Sequence, residues 1–147
     1  MESFESFLLR KIVRKVTPNK ERIRKLIRDG EKRIIDINSL DINKLPKLVF
    51  ENMYDAIRDF IFSILLSDGF NTSSHEAPIA YLSKKGFDVY VIDRLDKFRY
   101  KRNGSKYYGE EVSVEEAKDI KTFYLEIKDK LHKILNNIKT QNGHRED

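Results

Sequence analysis

The sequence predicts an all-α fold, an up-and-down antiparallel bundle of four to six helices. Apolar residues recur at helical spacing along nearly the whole chain, and no segment shows the sustained alternation of apolar and polar residues that is typical of a half-buried strand. The helices that this spacing predicts are long and joined by short loops, which favours antiparallel neighbours. The chain has 147 residues, a length typical of one domain with an ordinary hydrophobic core.

The first predicted helix runs from about Phe4 to Val16, where apolar residues stand four positions apart. It opens a strongly basic stretch, because nine cations and a single carboxylate, Glu21, lie between Leu9 and Arg28. Cations four positions apart share a helix face. The stretch therefore predicts either a basic surface for nucleic acid or another anionic partner, or a solvated face neutralised by acidic groups elsewhere in the fold.

The second predicted helix starts after Thr17 and Pro18, which supply an N-cap and a first-turn proline. It reaches about Ile37 and contains Gly30, which costs about 1 kcal/mol relative to alanine inside a helix. A short connection over residues 38–44 follows.

The third predicted helix, Pro46–Ser67, carries the widest apolar stripe of the chain. We expect it to be the central element of the core. Asp68 and Gly69 supply the signal that ends it.

A polar loop over residues 71–74 leads to a fourth, shorter helix that stops at Gly86. The sequence leaves the start of this helix open. A capping box formed by Ser73 and Glu76 would place Pro78 too deep in the helix, where proline removes a backbone hydrogen bond.

The fifth predicted helix starts near Asp88 and carries arginines in its last turns, where cations suit the helix dipole. We expect the pair Asn103 and Gly104 to stop this helix. The same pair should turn the following loop sharply, and the loop should continue to Gly109.

Ser113 and Glu116 form a capping-box signature for the last helix, whose apolar series continues to Ile138. A single domain is therefore expected over residues 1–139. Residues 140–147 hold no apolar side chain, and we predict that they form a flexible polar tail.

The composition excludes several classes of site. The chain has no cysteine, so disulfides, thiolate zinc sites and a cysteine nucleophile are excluded. Its three histidines are scattered without ligand-like spacing, and we predict no metal site and no cofactor. The N-terminus carries neither a secretory signal nor an apolar stretch long enough for a membrane, so a cytoplasmic protein without membrane contact is expected.

The segment Phe98–Gly109, FRYKRNGSKYYG, interleaves cations with tyrosines. Arginine and lysine bind phosphate and flat aromatic rings stack on nucleobases, so this combination is typical of a nucleotide- or RNA-binding surface. The alternative is an ordinary cationic helix end whose tyrosines pack against the bundle or against a dimer mate. The candidate binding residues are Arg99, Arg102, Asn103, Lys106, Tyr107 and Tyr108, with Tyr100 and His75 as accessory positions.

Four features follow one another in a recognisable order. They are FENMYDAIRDFIFSILLSDGF, a long helix ending near a glycine; SSHEAPIAYLSKKG, a Ser-His pair opening a shorter helix; LDKFRYKRNGSKYYG, an arginine-rich helix end with a tyrosine and a glycine; and the capped last helix. In this order the chain resembles the HEPN superfamily (higher eukaryotes and prokaryotes nucleotide-binding) over residues 45–138. Residues 1–44, the basic N-terminal helices, lie outside the resemblance.

The resemblance implies a four- or five-helix bundle that is often a homodimer and often works beside a small nucleotidyltransferase in toxin–antitoxin pairs. Other members of the superfamily are metal-independent RNases with an Arg-x4-6-His motif, in which arginine holds the phosphate and histidine moves the proton of the attacking 2′-hydroxyl. In this sequence Arg102 matches the arginine and Asn103 the polar residue often beside it. Tyr107 or Tyr108 stands at the histidine position.

This departure from the motif bears on catalysis. Tyrosine, with a reference pKa of about 10, is a poor general base at neutral pH, whereas histidine, at about 6.5, is suited to the role. We therefore expect an HEPN-like nucleotide- or RNA-binding module with no catalytic residue, working with a nucleotidyltransferase in a toxin–antitoxin-type system.

Two alternatives stay open. One is a metal-independent endoribonuclease with an atypical acid-base residue, for which His75 is the candidate. The other is a purely structural interaction bundle, in which Tyr107 or Tyr108 accepts a nucleotidyl group by family analogy. A homodimer is expected from the resemblance and from phenylalanines such as Phe4 and Phe50, if one bundle cannot bury them all.

Overall fold

The computed structural model of the protein describes the backbone of residues 1–144 and the side chains through Gln141. Within these residues the chain forms six α-helices, two short strands and one 3₁₀ turn. In chain order they are α1 (Phe4–Leu9), β1 (Val13–Lys15), α2 (Lys20–Asn38), α3 (Pro46–Ser67), β2 (Phe70–Thr72), α4 (Ala77–Tyr81), the 3₁₀ turn (Leu82–Lys85), α5 (Val89–Tyr107) and α6 (Val114–His144). The prediction of an all-α helical bundle is confirmed.

Helix α3 lies at the centre of the bundle and contacts α2, α4, α5 and α6. Its apolar stripe is buried along its whole length, which confirms the prediction of a central core helix. The helix ends where predicted, and Gly69 follows it with a φ of 89°. The same core takes up Phe4 and Phe50, which are 3% and 1% exposed. These rings therefore do not require a second copy of the chain.

Gly30 lies at a close approach between α2 and α3. A Cβ added to Gly30 would lie 2.5 Å from Cε1 of Phe60, closer than two carbon atoms can stand. The glycine therefore allows the two helices to pack tightly. From the sequence alone, only its cost to the helix was visible.

The N-terminal segment departs from the prediction. Helix α1 ends at Leu9, and Lys11 adopts a left-handed φ of 61°. Strand β1 then pairs antiparallel with β2, with Val13 opposite Thr72 and Lys15 opposite Phe70. The predicted helix to Val16 is therefore wrong, as is the predicted absence of strands, and the predicted loop over residues 71–74 is wrong for Asn71 and Thr72.

Two causes produce strand β1, one local and one from a distant segment. β-Branched side chains at Ile12, Val13 and Val16 favour extended backbone. The Thr72 hydroxyl also donates to the backbone oxygen of Ile12 at 2.8 Å. A strand of three residues is too short for its alternation to stand out in the sequence.

This strand changes the interpretation of the basic stretch between Leu9 and Arg28. Arg14 and Lys15 are exposed on β1, so the cations do not form one continuous helix face. On α2, Lys25 donates to Asp29 at 2.9 Å, as expected for a cation neutralised by a nearby acid. Helix α2 itself begins later than predicted.

One helix start differs from prediction, and the structure settles another that the sequence left open. The cap of α2 is Asn19, whose side chain accepts a hydrogen bond from the backbone N–H of Arg22, so Thr17 and Pro18 precede the helix without capping it. Helix α4 has Glu76 at its N-cap position without a capping bond from that side chain, and Ser74 Oγ accepts from the backbone N–H groups of Glu76 and Ala77 at 3.1 and 3.2 Å.

The start of α4 at Ala77 resolves the question that Pro78 left open. Pro78 stands in the first turn of α4, where its missing N–H has no helical partner to lose. The Ser73–Glu76 capping box is therefore not needed to begin the helix. Gly86, with a φ of 85°, follows the 3₁₀ turn as predicted.

Helix α5 begins at its predicted cap, Asp88, but continues through Asn103 and Gly104 to Tyr107. The predicted stop at this pair is wrong. Gly104 is buried, and a Cβ on it would lie 2.3 Å from the carboxylate of Glu110. The glycine makes room for the returning chain, and the left-handed turn comes later, at Gly109 with a φ of 67°.

The last helix begins with the predicted reciprocal capping box. The Ser113 N–H donates to Glu116 Oε1 at 3.0 Å, and the Glu116 N–H donates to Ser113 Oγ at 3.1 Å. Helix α6 continues to His144, so the predicted flexible tail is helical over residues 140–144. The rest of that predicted tail lies outside the described residues.

Candidate functional site

Two adjoining depressions lie where the last turns of α5 meet α3 and the start of α4. The first, which we call the inner pocket, is lined by Tyr54, Arg58, His75, Arg99, Arg102, Asn103, Lys106 and Tyr107. The second, the outer groove, has a volume of ≈ 520 Å³ and is lined by Arg99, Tyr100, Asn103, Gly104, Tyr107, Tyr108 and Glu110. All eight side chains that the sequence singled out line one depression or the other.

The continuation of α5 to Tyr107 aligns these residues. Positions 99, 103 and 107 stand four apart, so Arg99, Asn103 and Tyr107 lie on one helix face, and all three line both depressions. A helix that stopped at Asn103 would have left Lys106 and Tyr107 in a loop. The position at which α5 ends therefore decides where Lys106 and Tyr107 lie in the site.

Arg102 is the buried anchor of the inner pocket. It is 7% exposed, and it donates to both carboxylate oxygens of Asp55, from Nε to Oδ1 at 3.2 Å and from Nη2 to Oδ2 at 3.0 Å. Its Nη1 lies 3.8 Å from a carboxylate oxygen of Glu51, beyond hydrogen-bonding distance. Burial lowers the pKa of Arg102, but the hydrogen bond and charge of Asp55 outweigh it, so the pKa is raised and the guanidinium stays charged.

Asp55 is shared among several cations. Besides Arg102, it has Arg58 Nη1 at 3.7 Å and Arg33 Nη1 at 3.8 Å. Because this carboxylate stands behind the cations, it holds them in place without lining the inner pocket. The pocket wall presents the donor side of the ion-pair network.

Tyr54 was missed by the sequence analysis. The residue is 3% exposed and lines the inner pocket, and its buried hydroxyl has no hydrogen-bond partner among the described residues. Burial raises its pKa, so the hydroxyl keeps its proton and remains a donor. The available signal was a run of charges, including Asp55 and Arg58, on an otherwise apolar central helix.

His75 comes from the loop before α4 and reaches the inner pocket, a placement that the sequence could not give. The side chain is exposed, although partial burial lowers its pKa, and the positive charges of Arg58, Arg99 and Lys106 lower it further. The imidazole is therefore neutral at neutral pH.

Arg99 and Lys106 complete the cationic wall. Arg99 donates from Nε to Asp96 at 2.8 Å, and its Nη2 lies 3.8 Å from Glu76. Lys106 is exposed, with its Nζ 5.3 Å from the ring centre of Tyr107. Both cations can therefore reach an anion that enters from solvent.

The tyrosines of the outer groove present their rings to solvent. Tyr100, Tyr107 and Tyr108 are 75%, 65% and 81% exposed. The rings do not pack against the bundle of their own chain, so that part of the alternative interpretation is wrong. Exposed rings beside cations are the arrangement in which nucleobases stack.

The lining of the inner pocket is one-sided in charge. Four cations line it, and within the part of the chain that the structure describes no carboxylate does. Its tyrosine, histidine and asparagine side chains can all donate hydrogen bonds as well. Such a set of donors suits an oxyanion such as phosphate.

Over residues 1–144, no group of three or more carboxylates and histidines is arranged to hold a metal ion. No helix in that part of the chain is both long and apolar enough to cross a membrane. Comparison of the chain with protein-family models, with curated proteins and with solved structures finds no match. The geometry of the site is therefore the basis for assigning a function.

Proposed function

We propose that the protein is a nucleotide- or RNA-binding helical module without catalysis of its own. The observation that carries the proposal is the cationic, carboxylate-free lining of the inner pocket among the described residues, beside a groove with three exposed tyrosines. The cations bind a phosphate group, and the tyrosines stack on the attached bases. The bases need not be specified, because every base has a flat face.

Fluorescence anisotropy with labelled single-stranded RNA and labelled nucleotide, at two salt concentrations, tests this proposal. Binding should weaken as salt rises, since each phosphate contact contributes a log–log slope of about −0.7 on single strands. The variants Arg99→Ala and Lys106→Ala should each weaken binding and flatten that slope. Lys128→Ala, an exposed cation on α6, is the matched control and should change neither. No binding at low salt would refute the proposal.

A second candidate function is metal-independent RNA cleavage, and one observation favours it. His75 lines the same pocket as Arg102 and has a lowered pKa, so it is a neutral imidazole able to accept a proton. Structured RNA incubated with the protein and EDTA should then be cut, and His75→Gln should abolish the cut. Intact RNA at high protein concentration would end this alternative.

The resemblance to HEPN domains extends the proposal to partners. We place the module beside a small nucleotidyltransferase in a toxin–antitoxin-type system, as a homodimer. The exposed hydroxyls of Tyr107 and Tyr108 are accessible to a partner of this kind. Mass spectrometry of proteins that co-purify from native lysate tests the partner, and its absence would count against it. Light scattering at micromolar concentration tests the dimer, which a monomer mass would exclude.

A further inference from the structure

Two buried donors at the inner end of the inner pocket lack a partner. Among the described residues, neither the hydroxyl of Tyr54 nor Nη1 of Arg102 has a hydrogen-bond acceptor, and both atoms are shielded from solvent. Tyr54 is 3% exposed and Arg102 is 7% exposed. Buried polar groups in folded proteins nearly always have a partner, so two unpaired donors in one pocket point to a missing acceptor.

The space in front of these donors is small. The free volume of the inner pocket is ≈ 10 Å³, room for about one water-sized group. A sugar or a base does not fit there. The mouth is formed by exposed side chains, His75, Lys106 and Tyr107, and such side chains change rotamer readily to widen an entrance. The inner end can therefore take one phosphate oxygen, while the rest of the phosphate lies at the mouth and the rest of the ligand lies outside.

The number and charge of the donors favour a phosphate monoester over a diester. An internal phosphodiester has two ester arms and only two free oxygens to accept hydrogen bonds. A monoester has one arm, three free oxygens and up to two negative charges. Eight side chains that can donate line the pocket, and four of them are cations: Tyr54, Arg58, His75, Arg99, Arg102, Asn103, Lys106 and Tyr107.

We propose that the inner pocket binds a terminal phosphate monoester, the charged end of a nucleotide or of an RNA strand, with Tyr54 and Arg102 as its innermost donors. The inference rests on the proposed function and specifies its ligand. The attached base lies in the outer groove, which shares Arg99, Asn103 and Tyr107 with the pocket. Asp55 orients Arg102 by its two hydrogen bonds, and Nη1, which lies 3.8 Å from a carboxylate oxygen of Glu51, makes no hydrogen bond of its own and can donate to the phosphate.

Anisotropy with one short RNA sequence in three forms tests the proposal: with a 5′-phosphate, with a 3′-phosphate and with hydroxyls at both ends. We expect one phosphorylated form to bind about tenfold or more tightly than the hydroxyl form, the gain typical of hydrogen bonds to a charged group. Competition by a nucleoside monophosphate, with the nucleoside as control, distinguishes a free nucleotide from a strand end. If the monophosphate competes with the same affinity as the phosphorylated RNA and the nucleoside does not compete, the ligand is a free nucleotide. If the monophosphate competes more weakly than the phosphorylated RNA, the ligand is a strand end.

Tyr54→Phe is the decisive variant, because it removes one oxygen and keeps the buried ring. It should lower the affinity for the phosphorylated form several-fold, and clearly more than it lowers the affinity for the hydroxyl form. The matched control is Tyr81→Phe, whose hydroxyl donates to Asp68 away from the pocket and whose loss should change neither affinity. Arg102→Lys, which keeps the charge, should also reduce the preference.

The outcomes separate this inference from the proposed function. Equal binding of all three RNA forms would overturn the monoester site and leave RNA binding intact. A phosphate preference that survives in both Tyr54→Phe and Arg102→Lys would also overturn the site. No binding of any RNA or nucleotide would refute both proposals, and the inner pocket would then hold water only.

Discussion

Arg102 on α5 and Asp55 on α3 form a two-pronged ion pair inside the protein, with donor–acceptor distances of 3.2 and 3.0 Å. The pair joins the helix that carries most of the candidate site to the central helix of the core. It is buried, with side-chain exposures of 9% and 11%. Much of the site's rigidity therefore depends on one carboxylate that does not line it.

Replacing that carboxylate should destabilise the fold. In Asp55→Asn the buried guanidinium loses its partner, and breaking a buried pair from one side costs about 3–5 kcal/mol. Urea denaturation measures the change in the free energy of unfolding. Asp29→Asn is the control, because its pair with Lys25 is exposed on both sides and exposed pairs contribute less than about 1 kcal/mol. Similar losses for the two variants would contradict the assigned role of Asp55.

Gly30→Ala should also destabilise, although alanine is the better helix former by about 1 kcal/mol. The added Cβ meets Phe60 at 2.5 Å, and overpacking of this kind costs about 1–3 kcal/mol. Thermal or urea unfolding gives the measurement. Phe60→Leu removes the atoms that clash, so Gly30→Ala should cost less in that background. An unchanged cost in the double variant would show that the clash is not the cause.

Two tyrosine-to-phenylalanine changes should differ in their effect on the free energy of unfolding. The hydroxyl of Tyr54 is buried without a described partner, so Tyr54→Phe should leave the free energy of unfolding unchanged or raise it by up to about 1 kcal/mol. The hydroxyl of Tyr81 donates to Asp68 at 2.6 Å, so Tyr81→Phe should lower it by about 1–2 kcal/mol. Ligand-free protein in urea provides the comparison. A loss in Tyr54→Phe equal to that in Tyr81→Phe would reveal a partner for the first hydroxyl.

Stability should fall as the pH drops below about 6.5, the reference pKa of histidine. Burial lowers the pKa of His132, whose ring packs edge-on against Phe60 with centroids 5.1 Å apart. Because the pKa of folded His132 lies below that of the unfolded chain, the unfolded state binds more protons between the two values. Stability is therefore complete above about pH 6.5 and declines as the pH falls toward the folded pKa.

The hydrogen bond to Tyr124 supports the same sign. Burial raises the pKa of Tyr124 to about 12, so its hydroxyl keeps the proton and can donate to an unprotonated His132 Nε2, which lies 2.5 Å away. Protonation of Nε2 removes the lone pair that accepts in this arrangement. His132→Gln should flatten the dependence of the urea midpoint on pH between about 7 and 5.5. His75, whose pKa is also lowered, retains part of the slope, which the double variant with His75→Gln should remove.

The sequence could predict those structural features whose causes lie within one short segment of the chain. The helix α3 and the Ser113–Glu116 capping box were found because a long apolar stripe and a reciprocal cap are written within one segment. The end of α5 was misplaced, because Gly104 makes room for Glu110, a contact that the local sequence does not show. Strand β1 was missed for the same reason, since its partner strand is more than fifty residues away in the chain.

The candidate site divides in the same way. The cations and tyrosines of α5 lie in one segment, and sequence reasoning found them together. His75 needed the fold to bring it to them, and Tyr54 and Arg58 were hidden because a central helix is normally interpreted as core. The buried pairing of Arg102 with Asp55 depends on packing between two helices and has no local signature.

The small ribbon of β1 and β2 gives the N-terminal segment a share in the site without any of its residues lining it. Thr72 stands at the junction: its hydroxyl donates to the oxygen of Ile12 and accepts from the N–H of Ser74 at 3.0 Å. Ser74 Oγ accepts from the N–H groups of Glu76 and Ala77 at the start of α4, and His75 is the residue after Ser74. The first sixteen residues thus support one side of the pocket through Thr72 and Ser74. Their removal would make His75 more mobile without changing any residue that lines the pocket.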